Sequence, residues 1–110
     1  MEKSRDTATV LLKTELSATQ GREIRVVLAE VPPNFTGSPH YHLGDEVVCL
    51  LEGSITFTLE GKPDVTLKAG ETCHISAKQS HFGTTASESV KFLSIQVQET
   101  GAPSGRLRAE

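Results

Sequence analysis

The sequence predicts an all-β domain, and three observations support this fold class. Val, Ile and Thr together supply 25 of the 110 residues, and β-branched side chains favour strands. Gly or Pro recurs every several positions, which divides the chain into short segments. No stretch keeps a helical period with caps for three turns. Short strands at regular spacing in a small all-β domain leave a sandwich, a jelly roll or a barrel as the possible architectures.

Nine strands are predicted from apolar and β-branched runs that end at turn residues. In chain order they span residues 9–13, 23–31, 38–42, 46–52, 54–60, 64–68, 72–76, 81–85 and 89–98. The fifth shows the clearest alternation, because Ile55, Phe57 and Leu59 share one face while hydroxyl side chains share the other. The turn at residues 60–64 then leads into the sixth strand as a hairpin.

The fourth strand differs, because residues 47–51 are apolar on both faces. Such a strand is covered on both sides, and a second subunit is one way to cover the outer side. The sequence therefore predicts a homodimer.

The length allows one domain with a real core. We expect an N-terminal segment with the first strand over residues 1–20, a barrel domain over 21–98 and a flexible C-terminal tail over 99–110. The tail is polar and interrupted by Gly and Pro. Cys49 and Cys73 lie in apolar runs without CxxC spacing, which predicts two free, buried thiols rather than a disulfide.

Composition excludes several classes of function. Hydrophobic residues make up 36% and charged residues 23%, as in ordinary soluble globular chains rather than membrane proteins. The net charge of −3 and the scattered basic residues argue against a nucleic-acid partner. The first twenty residues contain no apolar core of signal-peptide length, which predicts a cytoplasmic protein. Removal of a leader would leave the same sequence, so a periplasmic location stays open.

The segment around His40, His42 and Glu46 contains the candidate metal ligands. Histidines at positions i and i+2 of a strand point to the same face, and a carboxylate four residues later can close on the same point. His81 is the candidate for a fourth ligand. Three imidazoles and one carboxylate suit Fe, Mn, Ni, Cu, Co or Zn better than Mg or Ca. The competing interpretation is a hydrogen-bonded polar cluster without metal, which is costly in a partly dry pocket.

Other polar and aromatic residues are predicted to lie outside the site. We expect His74 to be a strand residue rather than a ligand, Asp45 to point away from Glu46, and Tyr41 to face away from the ion. Three aromatic residues are assigned to the core: Phe57, Phe82 and Phe92. Phe82 follows a ligand directly and could also edge the pocket.

The spacing of His40, His42, Glu46 and Gly53 resembles the first motif of the cupin superfamily, G(x)5HxH(x)3-4E(x)6G. Asn34 stands at the leading glycine, a mild change because Asn tolerates left-handed backbone.

The second cupin motif is G(x)5PxG(x)2H(x)3N, and Gly70 and His81 fall eleven apart as it requires. Ser76, Lys78 and Thr85 replace its proline, second glycine and asparagine, so the changes affect the turn before His81 rather than the ligand. The resemblance covers roughly residues 26–97. It is closest to small single-domain, conserved-barrel, quercetin-dioxygenase-like cupins and implies a double-stranded β-helix, the jelly-roll or cupin barrel.

The resemblance implies a divalent transition metal held by His40, His42, Glu46 and His81, with Glu46 also acting as general base. The leading hypothesis is an oxygenase-like enzyme acting on a small oxygenated molecule, such as an aromatic or enolisable compound. The alternatives are a non-catalytic module that binds metal or a small ligand, and a metal-dependent isomerase or decarboxylase. The sequence leaves the metal and the substrate open.

Overall fold

The structure is a computed structural model that describes residues 5–102, 107 and 108. Ten strands occur in these residues and no helices. In chain order they are β1 Thr7–Glu15, β2 Arg22–Val31, β3 His40–Tyr41, β4 Asp45–Glu52, β5 Ser54–Leu59, β6 Val65–Lys68, β7 Thr72–Ile75, β8 His81–Thr85, β9 Val90–Glu99 and β10 Leu107–Arg108. The all-β prediction is confirmed.

The strands form two five-stranded sheets. Sheet I has the order β1-β2-β9-β4-β7, and sheet II has the order β10-β3-β8-β5-β6. Neighbouring strands pair antiparallel throughout. Alternate side chains of each sheet point toward the other sheet, so the inner faces enclose both the core and any internal site.

The hydrophobic core lies between the two inner faces. Sheet I contributes Val48, Leu50 and Val90, each at most 1% exposed, and sheet II contributes Ile55 and Phe57. On β5 the buried residues alternate with half-buried ones, as the hydroxyl pattern predicts. The packed core fixes how the two sheets face each other.

All nine predicted strands are present, but the first and third differ in extent and a tenth strand is added. The first strand spans residues 7–15 rather than 9–13. The third strand is only His40–Tyr41, and it follows Pro39, whose nitrogen cannot donate a ladder hydrogen bond. The tenth strand, Leu107–Arg108, pairs with β3 and lies within the predicted tail. That pairing joins residues far apart in sequence, so no local pattern indicates it. The rest of the tail after residue 102 lies outside the described residues.

The outer side of β4 is not covered by the described part of the chain. Val48 and Leu50 are buried, whereas Val47 is 38% exposed and Leu51 is 43% exposed. The strand is therefore apolar on both faces, but only its inner face is packed.

Cys49 and Cys73 are free thiols, as predicted, although each is half-buried rather than buried. The register pairs Cys73 with Val48 and Cys49 with Thr72. The two thiols thus lie on opposite faces of sheet I.

Two turns adopt left-handed backbone at residues other than glycine. Among the described residues these are Asn34, with φ of 54°, and Lys78, with φ of 65°. Both stand where the cupin motifs have glycine. The Lys78 amide donates to the carbonyl of His42 at 2.8 Å, and the Gln79 amide donates to Ser76 at 3.1 Å. The turn before His81 therefore keeps its shape without the motif's proline and glycine.

Lys78→Gly should stabilise the protein. A residue with a Cβ pays a steric cost in the left-handed region, and removing it should outweigh the added entropy of glycine in the unfolded chain. We expect the free energy of unfolding to rise by about 0.5–1 kcal/mol in urea titrations. Lys62→Gly, at an exposed turn residue without positive φ, is the control and should not stabilise. A Lys78→Gly protein no more stable than wild type would contradict the backbone assignment.

Candidate metal centre

Three of the predicted site residues converge at one point between the sheets. His40 and His81 are register partners on β3 and β8, with ring centroids 4.3 Å apart. The ring of His42 lies 5.5 Å from that of His40 and 5.9 Å from that of His81. One nitrogen from each ring lies within 4.8 Å of the others. This spacing could hold a single metal ion.

Backbone carbonyl groups orient two of the imidazoles. The Nδ1 atom of His40 lies 2.9 Å from the carbonyl oxygen of Ser38, and Nδ1 of His81 lies 2.8 Å from that of Gln79. Because a carbonyl oxygen only accepts, each Nδ1 carries the proton and donates. In a neutral imidazole with this tautomer, Nε2 is the atom that can bind a metal, which is the usual arrangement of metal-binding histidines.

Glu46 reaches the histidines from the opposite sheet. Its Oε1 atom lies 3.5 Å from Nε2 of His42 and 3.4 Å from Nε2 of His81, and the residue is 5% exposed. Oε1 has no hydrogen-bond partner among the described residues. The compact set of mutually close ligand atoms contains the three histidines without Glu46. The carboxylate is therefore adjacent to the cluster, with one oxygen directed at it.

The surroundings of Glu46 favour its ionised form. Burial raises the pKa of this carboxyl, but His81, the charge of His42 and the hydroxyl of Ser94 together lower the pKa below its usual value. A buried carboxylate beside three clustered imidazoles is a donor set that fits a first-row divalent ion. The residues present thus fit the metal that the cupin motifs imply.

A chain of buried hydrogen bonds runs along the inner face of sheet I, from Glu46 on β4 across β9 to Arg25 on β2. The Ser94 hydroxyl donates to Oε2 of Glu46 at 2.5 Å, and Nε2 of Gln96 donates to Oγ of Ser94 at 2.9 Å. Nη2 of Arg25 donates to Oε1 of Gln96 at 2.6 Å. Arg25, Ser94 and Gln96 were not predicted from the sequence. The sequence feature that could have indicated them is a charged or polar side chain at an inward position of a mostly apolar strand.

The metal centre opens into a cavity of about 400 Å³. This volume is in the range of sites for small molecules. Its walls are mainly apolar and include Val27, Phe57 and Phe92, so two of the predicted core aromatics also face the cavity. Phe82 and Tyr41 are not among its lining residues.

His74 and Asp45 form a separate pair on the outer face. Nε2 of His74 lies 3.2 Å from Oδ1 of Asp45, and both side chains are 59% exposed. Asp45 also accepts a hydrogen bond from the amide of Ala77, and the two contacts lower the pKa of its carboxyl. As predicted, His74 does not join the histidine cluster and Asp45 points away from Glu46.

Fold and site together define a small β-sandwich barrel with a candidate metal centre between its sheets. The model of the cupin domain family matches residues 27–96. The chain therefore belongs to the cupin family, as the two motifs predict. No curated protein matches the chain.

Three solved structures illustrate the likeness. A structure of the DMSP lyases RdDddP and RnDddQII is 25% identical, with a TM-score of 0.72, covering 84% of this chain and 46% of that one. An uncharacterised double-stranded β-helix protein from Klebsiella pneumoniae is 20% identical, with a TM-score of 0.76 and coverage of 100% and 89%. The polyketide cyclase RemF from Streptomyces resistomycificus is 19% identical, with a TM-score of 0.70 and coverage of 97% and 72%.

The chain spans about half the length of the DMSP lyase chain that it matches. Within the described residues, no helix is long and apolar enough to cross a membrane.

His42→Ala should remove most of the bound metal. The change deletes one of the three clustered imidazoles, and we expect affinity for Zn²⁺ or Mn²⁺ to fall about 100-fold or more. Elemental analysis of the purified protein and a metal titration provide the measurement. His74→Ala is the matched control, because it removes an exposed imidazole outside the cluster and should leave metal content unchanged. Equal loss in both variants, or in neither, would contradict the ligand assignment.

Proposed function

We propose that this protein is a metal-dependent enzyme that acts on a small oxygenated molecule. The observation that carries the proposal is the convergence of His40, His42 and His81 beside Glu46 at a cavity with apolar walls. The three imidazoles and the carboxylate would hold a divalent transition metal. A bound ion would supply Lewis-acid polarisation of a substrate oxygen.

Glu46 has the position of a general base as well as of a ligand. One of its oxygens accepts a hydrogen bond from Ser94, while Oε1 lies beside the Nε2 atoms of His42 and His81. A carboxylate held by one oxygen can take a proton on the other without losing its place. Phe57 and Phe92 would exclude water from the reacting molecule and accept an aromatic or aliphatic body.

Two reaction classes are consistent with this site. The first is oxygenase-like chemistry on an enolisable or aromatic substrate, as the resemblance to quercetin-dioxygenase-like cupins implies. The second is chemistry without oxygen, such as elimination, isomerisation or decarboxylation. The second class gains support from the comparisons, because two of the similar structures are named as a lyase and a cyclase rather than as oxygenases.

Glu46→Gln should separate catalysis from binding. A panel of enols, catechols and β-keto acids is incubated with metal-loaded protein, with and without oxygen, and product and oxygen consumption are followed. The loss of the base should lower kcat by about 10²–10⁴-fold, whereas the amide oxygen keeps the metal in place. Glu60→Gln, at an exposed carboxylate, is the control and should retain activity.

The incubations with and without oxygen distinguish the two reaction classes. Turnover that requires oxygen identifies an oxygenase, and turnover without it identifies the second class. Molecules that bind and are released unchanged under both conditions would contradict the enzymatic proposal and indicate a binding module.

The outer face of sheet I supports a homodimer. The central outward positions on three neighbouring strands are apolar, whereas charged residues stand toward the strand ends. The apolar positions are Ile24, Val26, Leu28, Leu93, Ile95, Val97 and Val47. A contiguous apolar surface of this kind is typical of interfaces between subunits. A second copy of the chain would cover it. A cytoplasmic location and the lack of a nucleic-acid partner stay predictions from composition.

Val47→Glu should convert the dimer to a monomer. The change places a charge in the middle of the apolar face, where a subunit contact would strip it of water. Light scattering after gel filtration should give the mass of two chains for wild type and one for the variant. Ser87→Glu, at an exposed residue in the connection between β8 and β9, should stay dimeric. Monomeric wild type would overturn the dimer proposal.

A further inference from the structure

We infer that Arg25 binds the carboxylate group of a small organic acid inside the cavity, with the remainder of that molecule directed toward the histidines. The inference rests on the proposed function, because the metal centre would receive the other end of the ligand. It adds the chemical class of the ligand to that proposal, because a metal ion and Glu46 by themselves do not distinguish an organic acid from other oxygenated molecules.

Arg25 is a buried charge that faces the cavity. It lies on the inner face of β2, is 3% exposed and lines the cavity wall. A guanidinium stays protonated at any physiological pH. A buried charge is unfavourable unless an opposite charge or a full set of hydrogen bonds compensates it. The cavity wall therefore contains a buried cation, and Asp6 and Glu46 are acidic residues of the same lining.

The described residues provide no ion-pair partner for this cation. Nη2 of Arg25 donates to the neutral amide of Gln96, whereas its Nε has no hydrogen-bond partner. Among residues 5–102, 107 and 108, no carboxylate forms an ion pair with the guanidinium. Glu23, two residues earlier on the same face, accepts instead from Gln98 at 3.4 Å. The guanidinium of Arg25 thus donates to a neutral amide and forms no ion pair with the described carboxylates.

The position of Arg25 suits a molecule that also contacts the metal centre. Arg25, Gln96 and Glu46 are register partners across β2, β9 and β4, so Arg25 and Glu46 are two strand spacings apart, about 10 Å between Cα atoms. His40 and His81 line the same cavity. A carboxylate fits the planar fork of a guanidinium through two parallel hydrogen bonds. An acid held in this way extends its other end toward the histidines.

The cavity walls restrict what lies between these two ends. Val27, Phe57 and Phe92 border the space, and its volume of about 400 Å³ holds a short-chain or single-ring body. The geometry therefore points to an organic acid with an aliphatic or aromatic body. A bare inorganic anion would make no favourable contact with the apolar walls of the cavity.

The test is a titration of metal-free protein with benzoate and phenylacetate, and with benzamide and phenylacetamide as neutral analogues of the same shape. Calorimetry should show each acid binding wild type about tenfold or more tightly than its amide, because a charge-assisted pair is lost in the amide. Arg25→Gln should remove this preference. Arg22→Gln, an exposed arginine on the same strand, should keep it.

Two further measurements distinguish a loss of acid binding from misfolding of a variant and from a loss of metal binding. In wild type, the Arg25 Nε–H signal in a nitrogen-proton correlation spectrum should shift on addition of benzoate. Metal-loaded wild type should show the same preference for the acids, and a protein that fails to bind metal would contradict the proposed function while the metal-free titration still tests Arg25. If wild type binds acid and amide alike, binds neither, or shows no shift at Nε–H, the carboxylate site is overturned even in a protein that binds metal.

Discussion

The structure depends on enclosing four ionisable side chains between two sheets that must face each other. Glu46 comes from sheet I, while His40 and His81 are cross-strand partners in sheet II. Each charge removed from water costs several kcal/mol unless it is compensated. The carbonyl groups of Ser38 and Gln79 accept hydrogen bonds from the Nδ1 atoms of His40 and His81. A divalent cation between the three imidazoles and Glu46 would offset the cost of burying the carboxylate.

The two sheets pack the hydrophobic core at one end and hold the residues of the candidate metal centre at the other. Along the inner face of β9, Val90 and Phe92 precede Ser94, Gln96 and Gln98. The antiparallel neighbours change from apolar to polar in the same direction in space, so that the apolar rows coincide and form the core. Burial of those rows holds the sheets in register. The inward residues at the other end of the sheets can then border a cavity without loss of the fold.

The sequence predicted the parts of this design that follow from local rules. The i, i+2 spacing placed His40 and His42 on one face, and the cupin spacing pointed to His81, which no local pattern connects to them. Arg25 was missed for a physical reason. β2 carries apolar residues on both faces, so alternation could not tell its inward positions from its outward ones. The pairing of β10 with β3 was missed because it joins distant segments.

The direction of the buried hydrogen-bond chain follows from what each member can donate. A guanidinium only donates, so Gln96 must present its oxygen to Arg25 and its NH₂ group to Ser94. The Ser94 hydroxyl, having accepted there, gives its own hydrogen to Oε2 of Glu46. That contact occupies one carboxylate oxygen and leaves Oε1 for the histidine side. The charge of Arg25 thus reaches the metal centre through oriented neutral groups, and an anion bound at Arg25 would act on Glu46 through the same three bonds.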